Sequence, residues 1–497
     1  MRYILKHKDL PVFIFDMSGK NVVGAVINNK GIPHLPLPLK LIVNAGNIEE
    51  QDSDVLVVDE EGCAKIELWL SERAVPISRY NYEKYVEKNM TGIEWLLENN
   101  AFSFDDCYIV TEYGKDVSWK TVKSRMEKLD ELISIEHNSS KINFRYKGHN
   151  SALGGQLEKY WFRQDGKLFL CKKNPDGRDI LSIRELIAAS IYKRLDFPAC
   201  DYRLLRDPEG RITGCTCGSF IDNDREELVS AYDLLQEYGL TQNDNVYELL
   251  VKLAGLYGAE EEEVRRYLDV MTVVDYLITN RDRHEGNIGF IRDPDTLRII
   301  KPVPVYDSGS SPVMEEVRPE SVTETTVNGL YKTEAECLRH VRNVGIVNPD
   351  VLPSEEELGR ILEESTSLSE ERKDTLKALY SEKKAYLRLM QATPKNCPEA
   401  GKIDAENAMY LFKVLYKGLL KTVIRESEGK KLLVMMYNEF RTEADFYVRR
   451  AECFCEERKL PLNDIKDKSF RTLVLDAEKQ LSDFLKEYRF DITMTWN

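Results

Sequence analysis

The chain has 497 residues, 42% hydrophobic and 31% charged, with 70 Lys and Arg against 85 Asp and Glu for a net charge of −15. A single core usually stops growing near about 250 residues, so this length asks for two or more domains. The composition excludes a disordered or fibrous chain, and the acidic balance argues against direct nucleic-acid binding, which needs a surface that neutralises phosphates. Any phosphate site here must be a local constellation. The 10 cysteines include no Cys-x-x-Cys pair, and Cys215-x-Cys217 and Cys453-x-Cys455 lack histidines at zinc-finger spacing, so no structural zinc site is expected. Charges interrupt the opening segment where a signal peptide needs an apolar run, and no window nears about 18 consecutive apolar residues. The expectation is a cytoplasmic protein with reduced thiols and no membrane partner.

Residues 1–140 mix short β-like runs (Val12–Phe15, Val22–Val26, Val55–Val58) with helical stretches at Glu83–Asn99 and Lys120–Ile135, an N-terminal α/β region without a chemical signature. From Lys141 the pattern changes to short strands and tight turns. Lys141–Tyr146 alternates apolar and polar, and Tyr160–Arg163 and Leu168–Lys172 flank Gln164-Asp165-Gly166-Lys167, whose Asp-Gly pair favours a hairpin. Ser182-Ile183-Arg184-Glu185 fits a capping box opening a helix that continues toward Pro198. Strands at Tyr202–Leu205 and Ile212–Cys217 then enclose the turn Asp207–Gly210.

From about Asp233 the signal is mainly helical. Glu260–Ile278 has acids in its first turn and apolar residues at Val264, Tyr267, Leu268, Met271, Val274 and Ile278, spaced for one helix face. A hairpin with strands Ile288–Ile291 and Leu297–Tyr306 follows. Helices are expected at Ser354–Glu364, Ser369–Gln391, Ala405–Arg425, Lys431–Arg458 and Phe470–Tyr488, with the break Thr393–Asn396 setting off a helical C-terminal appendage. Lys120–Lys128 and Arg449–Arg458 interleave bases with acids and read as solvated helix faces.

The strongest chemical signal is Asn280-Arg281-Asp282-Arg283-His284-Glu285-Gly286-Asn287, followed across the hairpin by Val305-Tyr306-Asp307. Phosphoryl transfer needs a carboxylate near the acceptor hydroxyl and oxygen ligands that hold Mg²⁺ against nucleotide phosphates. Asp282 with Asn287 five residues on, and Asp307 after the hairpin, provide both, at the spacing of protein-kinase catalytic and metal-binding residues. A run of polar residues between an apolar helix and an apolar strand is costly to bury unless it lines a polar site. His284 is expected to hold the loop, since Asp282 suffices as the loop carboxylate.

Upstream, Ser151-Ala152-Leu153-Gly154-Gly155-Gln156-Leu157-Glu158-Lys159 carries a glycine pair that lets backbone N–H groups approach phosphate oxygens. The next strand pair ends in Lys172-Lys173, and a helix with Glu185 in its first turn follows. A strand-end lysine that meets both phosphates and a helix glutamate is the kinase arrangement. Strand alternation leaves open which lysine faces the cleft, with Lys172 favoured. The capping box is the other explanation of Glu185. Cys215-Thr216-Cys217-Gly218-Ser219-Phe220 sits where a kinase hinge would meet adenine, through Gly218 and Phe220.

Together, Ser151-x-x-Gly154-Gly155-Gln156-x-Glu158-Lys159, Asn280-x-Asp282-Arg283-His284-x-x-Asn287 and Pro304-x-Tyr306-Asp307 resemble the HipA-type serine/threonine kinases of bacterial toxin–antitoxin systems. The resemblance covers roughly residues 141–390. It implies an α+β, two-lobed protein-kinase-like fold, with a β-rich N-lobe holding the ATP loop (141–222) and a helical C-lobe (223–393); by their own sequence pattern, residues 1–140 read as an N-terminal α/β accessory domain and 394–497 as a helical appendage. It implies ATP and Mg²⁺ as cofactors, Asp282 as catalytic base, Asn287 and Asp307 as metal ligands, and Gly154, Gly155, Lys159 and Lys172 around the nucleotide. It further implies autophosphorylation at Ser151, a protein substrate and a small helix-turn-helix antitoxin as partner. A small-molecule or lipid kinase, and a non-catalytic interaction protein with the same fold, are the alternatives from the residues alone.

Overall fold

The computed structural model describes residues 1–51, 54–127, 148–175, 178–238, 245–309 and 325–391. The expected strand Lys141–Tyr146, the end of the Lys120–Ile135 helix, the basic stretch Arg449–Arg458, and the break and helices from Thr393 onward lie outside these residues. Within them the chain is a mixed α and β structure with three antiparallel sheets. The first contains β1 (Arg2–His7), β2 (Leu10–Ser18), β3 (Asn21–Asn28), β4 (Ile48–Gln51), β5 (Val55–Val58) and β6 (Tyr108–Glu112), in the order β4-β5-β3-β2-β1-β6. Alternation along β2 buries Phe13 and Phe15 under α2 (Glu60–Arg73), whose Ile66 and Leu70 close that core. The short α1 (Lys40–Asn44) and α3 (Gly92–Glu98) border it.

The expected helix Glu83–Asn99 is in fact one 3₁₀ turn, Tyr82–Lys84, followed by α3. Asn89 adopts φ 70°, which a continuous helix cannot contain, and Thr91 and Glu94 then form a complete capping box. Helix α4 (Trp119–Met126) lays Trp119 and Val122 against Phe102 and Phe104. Leu153 and Trp161 share that cluster, so the N-terminal sheet region and the glycine-containing loop share packing.

The second sheet has β7 (Lys159–Gln164), β8 (Lys167–Lys173), β9 (Arg203–Arg206) and β10 (Ile212–Gly218), in the order β7-β8-β10-β9. The β7–β8 hairpin turns as expected on Asp165 and Gly166, at φ 52° and 73°. Helix α5 (Ile180–Arg194) packs on this sheet. It begins before Ser182, so Ser182–Glu185 is not a capping box: Ser182 donates to Asn174 Oδ1 (2.8 Å), and Glu185 belongs to the second turn and points at Lys172.

The third sheet joins β11 (Glu227–Ser230), β12 (Gly289–Arg292) and β13 (Ile299–Pro302). The expected long strand to Tyr306 ends at Pro302, and Val305 instead forms an isolated bridge with Ala199. The remaining helices are α6 (Ala231–Gln236), α7 (Val246–Leu256), α8 (Glu261–Ile278), α9 (Glu334–His340), α10 (Glu355–Leu362) and α11 (Glu370–Gln391). As its apolar spacing predicts, α8 forms the axis of the largest core, with Val264, Leu268, Val273 and Val274 fully buried. Its C-terminus is fixed from α11: buried Lys383 donates to Tyr276 O (2.9 Å), Thr279 Oγ1 (2.9 Å) and Glu334 Oε1 (2.6 Å). No helix among the described residues is long and apolar enough to cross a membrane.

A buried ionic network ties the first sheet to the third. Glu227 and Arg292 oppose each other in the β11–β12 register, with Arg292 Nε 2.7 Å from Glu227 Oε1. His7 Nε2 on β1 lies 3.1 Å from Glu227 Oε2, and Arg292 donates to the Tyr108 hydroxyl of β6 at 3.2 Å. Burial alone would raise the Glu227 carboxyl, but Arg292 and then His7 hold it down at about 2. Its folded value lies below the ordinary value near 4.3, so this stabilisation is complete above that pH and is lost as pH falls toward 2. Glu227→Gln is expected to lower unfolding stability by about 3 kcal/mol at neutral pH and to flatten the acid limb of the stability curve, read by denaturant melts at several pH values.

Candidate active site

Strands β7, β8 and β10 and the loop after α8 line one cavity of about 640 Å³, in the range that holds a small-molecule ligand. Gly154, Gly155, Lys159, Lys172, Gly218, Phe220, Asp282, Asn287 and Asp307 all border it. Residues separated by more than a hundred positions in the sequence thus meet around one space.

Strand alternation in β8 puts the two lysines on opposite faces. Lys173 turns toward Glu158 (3.9 Å) and the Tyr160 ring, whereas Lys172 faces the cavity. There its Nζ is 2.7 Å from Glu185 Oε1, 3.0 Å from Asp307 Oδ1 and 3.2 Å from the Tyr202 hydroxyl. Glu185 is itself fixed, because its Oε2 accepts the Ser308 N–H at 2.9 Å. Burial works against the charged lysine, yet Asp307 and Glu185 raise Lys172 well above its ordinary value. Burial likewise works against the Asp307 carboxylate, and Lys172 and then Lys159 hold it down at about 2. Both groups therefore stay charged across the physiological range. Asp307 adopts a left-handed backbone, φ 51°, with its N–H on the Tyr202 hydroxyl (3.2 Å).

The loop after α8 is organised from within. Thr279 ends the helix at φ 57°, and Asn280 returns its side-chain amide to Asp275 Oδ1 (2.8 Å). Asn280 Oδ1 accepts the Asp282 N–H at 3.1 Å, and Asn287 Nδ2 donates to Asp282 O at 2.8 Å. The Asn287 amide nitrogen is thereby engaged, and its Oδ1 is the atom left to meet a cation. The Asp282 carboxylate accepts from Asn328 Nδ2 (2.8 Å). His284 caps the one-turn helix Glu285–Asn287 by accepting the Gly286 N–H on Nδ1 (3.1 Å), in keeping with a loop-holding role.

Three contributors carried no assigned role in the sequence. Arg283 is the hub: its buried guanidinium spans Asp275 (2.7 and 3.0 Å), Asn287 O (2.9 Å), Tyr306 O (2.6 Å) and Ser308 Oγ (3.0 Å). An arginine beside the loop aspartate, with an acid, Asp275, within the apolar helix, was the available signal. Asp105 reaches the cavity from the N-terminal region, and burial pushes its carboxyl up to about 6. Arg79 meets the glycine loop from the same region.

Gly155 has φ +87°, a backbone conformation that side-chain-bearing residues rarely adopt, so this position favours glycine. Ser151 does not border the cavity. It is 1% exposed beneath the loop, its carbonyl accepting the Val75 N–H (3.2 Å), and its hydroxyl has no hydrogen-bond partner among the described residues. A phosphoryl group could reach it only after the loop left this seat. Gly218 pairs with Phe169 across β8–β10, and the Phe220 ring lies 5.6 Å from that of Tyr306. No group of three or more His, Cys, Asp or Glu side chains that could hold a metal occurs among the described residues. Mg²⁺ bound by one or two protein oxygens and the phosphates of a nucleotide needs no such group, and Asn287 and Asp307 fit that donor set.

Burial, reinforced by Arg79, lowers the Lys159 amine to about 8. Below that value it is charged and attracts an anion; above it the attraction fades. Binding of a phosphate-bearing anion near pH 8.5 is therefore expected to take up a fraction of a proton as the anion restores the charge, and affinity is expected to fall as pH rises through about 8. Titration calorimetry in buffers of different ionisation enthalpy reads the uptake, which Lys159→Met removes.

No protein-family model matches the chain, and no curated protein matches it. Similar solved structures include the proinflammatory kinase CtkA of Helicobacter pylori, at 17% identity and a TM-score of 0.37, over 47% of this chain and 89% of that one. Another is HipA of Shewanella oneidensis MR-1, determined with HipB and operator DNA, at 13% identity and a TM-score of 0.44, over 78% of this chain and 96% of that one.

Proposed function

We propose that the chain is an ATP- and Mg²⁺-dependent serine/threonine protein kinase of HipA-like type. On this assignment residues 141–222 are its β-rich lobe and 223–393 its helical lobe, flanked by 1–140 and 394–497. One observation supports this most directly: Lys172 is within ion-pair distance of both Glu185 and Asp307, in a cavity that Asp282 and Asn287 also border. That is the charge pattern phosphoryl transfer needs, a lysine held by a helix carboxylate beside an acid that ligates metal.

The chain's own groups then divide the work. Gly154 and Gly155 offer backbone N–H groups to phosphate oxygens, and Lys159 and Lys172 offer charge. Asn287 and Asp307 would hold Mg²⁺, which when bound neutralises charge on the transferring group. Asp282 orients the acceptor hydroxyl and takes its proton as the γ-phosphoryl moves to that oxygen and ADP departs. Arg283 keeps Asn287 and the Tyr306–Ser308 segment in register with α8. The motif likeness extends to Ser151 as an autophosphorylation site and to a small helix-turn-helix antitoxin as partner.

Purified chain incubated with Mg²⁺ and γ-labelled ATP is expected to label serine or threonine in itself or in lysate proteins. Label confined to an extractable metabolite would move the assignment to a small-molecule kinase, and no label together with no Mg-ATP thermal shift would overturn it.

A further inference from the structure

The stretch between α2 and α3 runs along the back of the glycine loop. The Val75 N–H donates to Ser151 O at 3.2 Å and the Tyr80 N–H to Gln156 O at 2.9 Å. Between them Arg79, 3% exposed, lays its guanidinium on the Tyr85 ring (4.8 Å) and donates from Nη2 to both Leu153 O and Gly154 O, the latter at 2.6 Å. The Tyr85 hydroxyl closes the clamp, accepting the Lys159 N–H and donating to Lys159 O, each at 2.7 Å.

We infer that Arg79 is a positioning residue that sets the direction of the loop's phosphate-binding N–H groups, an inference that rests on the kinase reading above. The reason is the planarity of the peptide bond. In a trans peptide the C=O and the next residue's N–H point in opposite directions. Drawing the carbonyls of Leu153 and Gly154 onto one guanidinium therefore turns the N–H groups of Gly154 and Gly155 away from Arg79. Two successive N–H groups aimed to one side form an anion-binding concavity, and the positive φ of Gly155 is the conformation such a nest needs. Both glycines border the cavity. Without Arg79 the two peptide planes are free to flip, and each flip removes a donor from the phosphate. The N-terminal region is then part of the nucleotide site and not an appended module.

The test uses the full chain and has two arms. In nucleotide-free protein, Arg79→Ala is expected to raise amide hydrogen exchange over residues 153–157. With Mg-ATP it is expected to raise Kd and KM roughly tenfold, with kcat within about twofold, since the chemistry of Asp282 is untouched. Millimolar guanidinium ion, which can refill the site on Tyr85, is expected to recover most of the affinity. Unchanged loop exchange and unchanged Kd would overturn the inference, as would weakened binding that guanidinium does not restore. Should Arg79→Ala not fold, Arg79→Lys decides: its ammonium cannot lie flat on the ring and hold both carbonyls, so a wild-type Kd there overturns the inference and a severalfold loss supports it. A wild-type chain that neither binds nor uses Mg-ATP would sink the kinase reading, while the exchange arm would still decide whether Arg79 holds the loop.

Discussion

Asp282→Asn is expected to lower phosphoryl transfer by about a thousandfold while leaving the melting temperature and Mg-ATP affinity unchanged. The half-buried Asp282 side chain has one described hydrogen bond, as acceptor from the Asn328 amide, and an amide oxygen at the same position can accept it equally well. The loop is held by other atoms: the Asp282 N–H and C=O, bound by Asn280 and Asn287, survive the substitution. What is lost is a carboxylate able to take a proton from the acceptor hydroxyl, a contribution typically between a hundredfold and ten-thousandfold. A radiometric transfer assay paired with a thermal-shift titration of Mg-ATP measures both sides. A variant that transfers at the wild-type rate would remove Asp282 from the role of base.

The features legible in the sequence are those fixed by neighbours along the chain. The Asp165-Gly166 hairpin and the apolar stripe of α8 follow from local turn chemistry and helical spacing, and both stand where expected. Asp282, Asn287 and Asp307 were legible because one loop and one hairpin carry them to the same cavity. The Ser/Thr-x-x-Glu pattern marks the limit of such reasoning. It is a complete capping box at Thr91–Glu94, Thr333–Glu336 and Ser354–Glu357, but not at Ser182–Glu185. There Lys172 and the Ser308 N–H claim the glutamate, and neither partner is near it in sequence. Arg79 on Gly154, Asp105 at the cavity wall and His7 on Glu227 were hidden for the same reason: each depends on how the N-terminal sheet docks, which no local pattern encodes.

Arg283→Leu is expected to be the most damaging substitution at the site, because one side chain joins three segments. Asp275 on α8, the backbone of Asn287 and the Tyr306–Ser308 segment all bond to its guanidinium, and Asp275 is 7% exposed. Removing one partner of a buried ion pair leaves the other charge unpaired, which typically costs about 3–5 kcal/mol. The two carbonyls that Arg283 satisfies would lose their donor as well. Replacing both members, Asp275→Leu with Arg283→Leu, removes the stranded charge and is expected to recover part of that stability by denaturant melts. Transfer activity is expected to stay at least a hundredfold down in both variants. An apolar pair can fill the volume but cannot donate to Asn287 O and Tyr306 O, so nothing holds the proposed metal ligands Asn287 and Asp307 in register. Recovery of stability without recovery of activity would separate the two roles of Arg283. If the double variant regained activity along with stability, the arginine would be a packing element and the alignment of Asn287 with Asp307 would have another source.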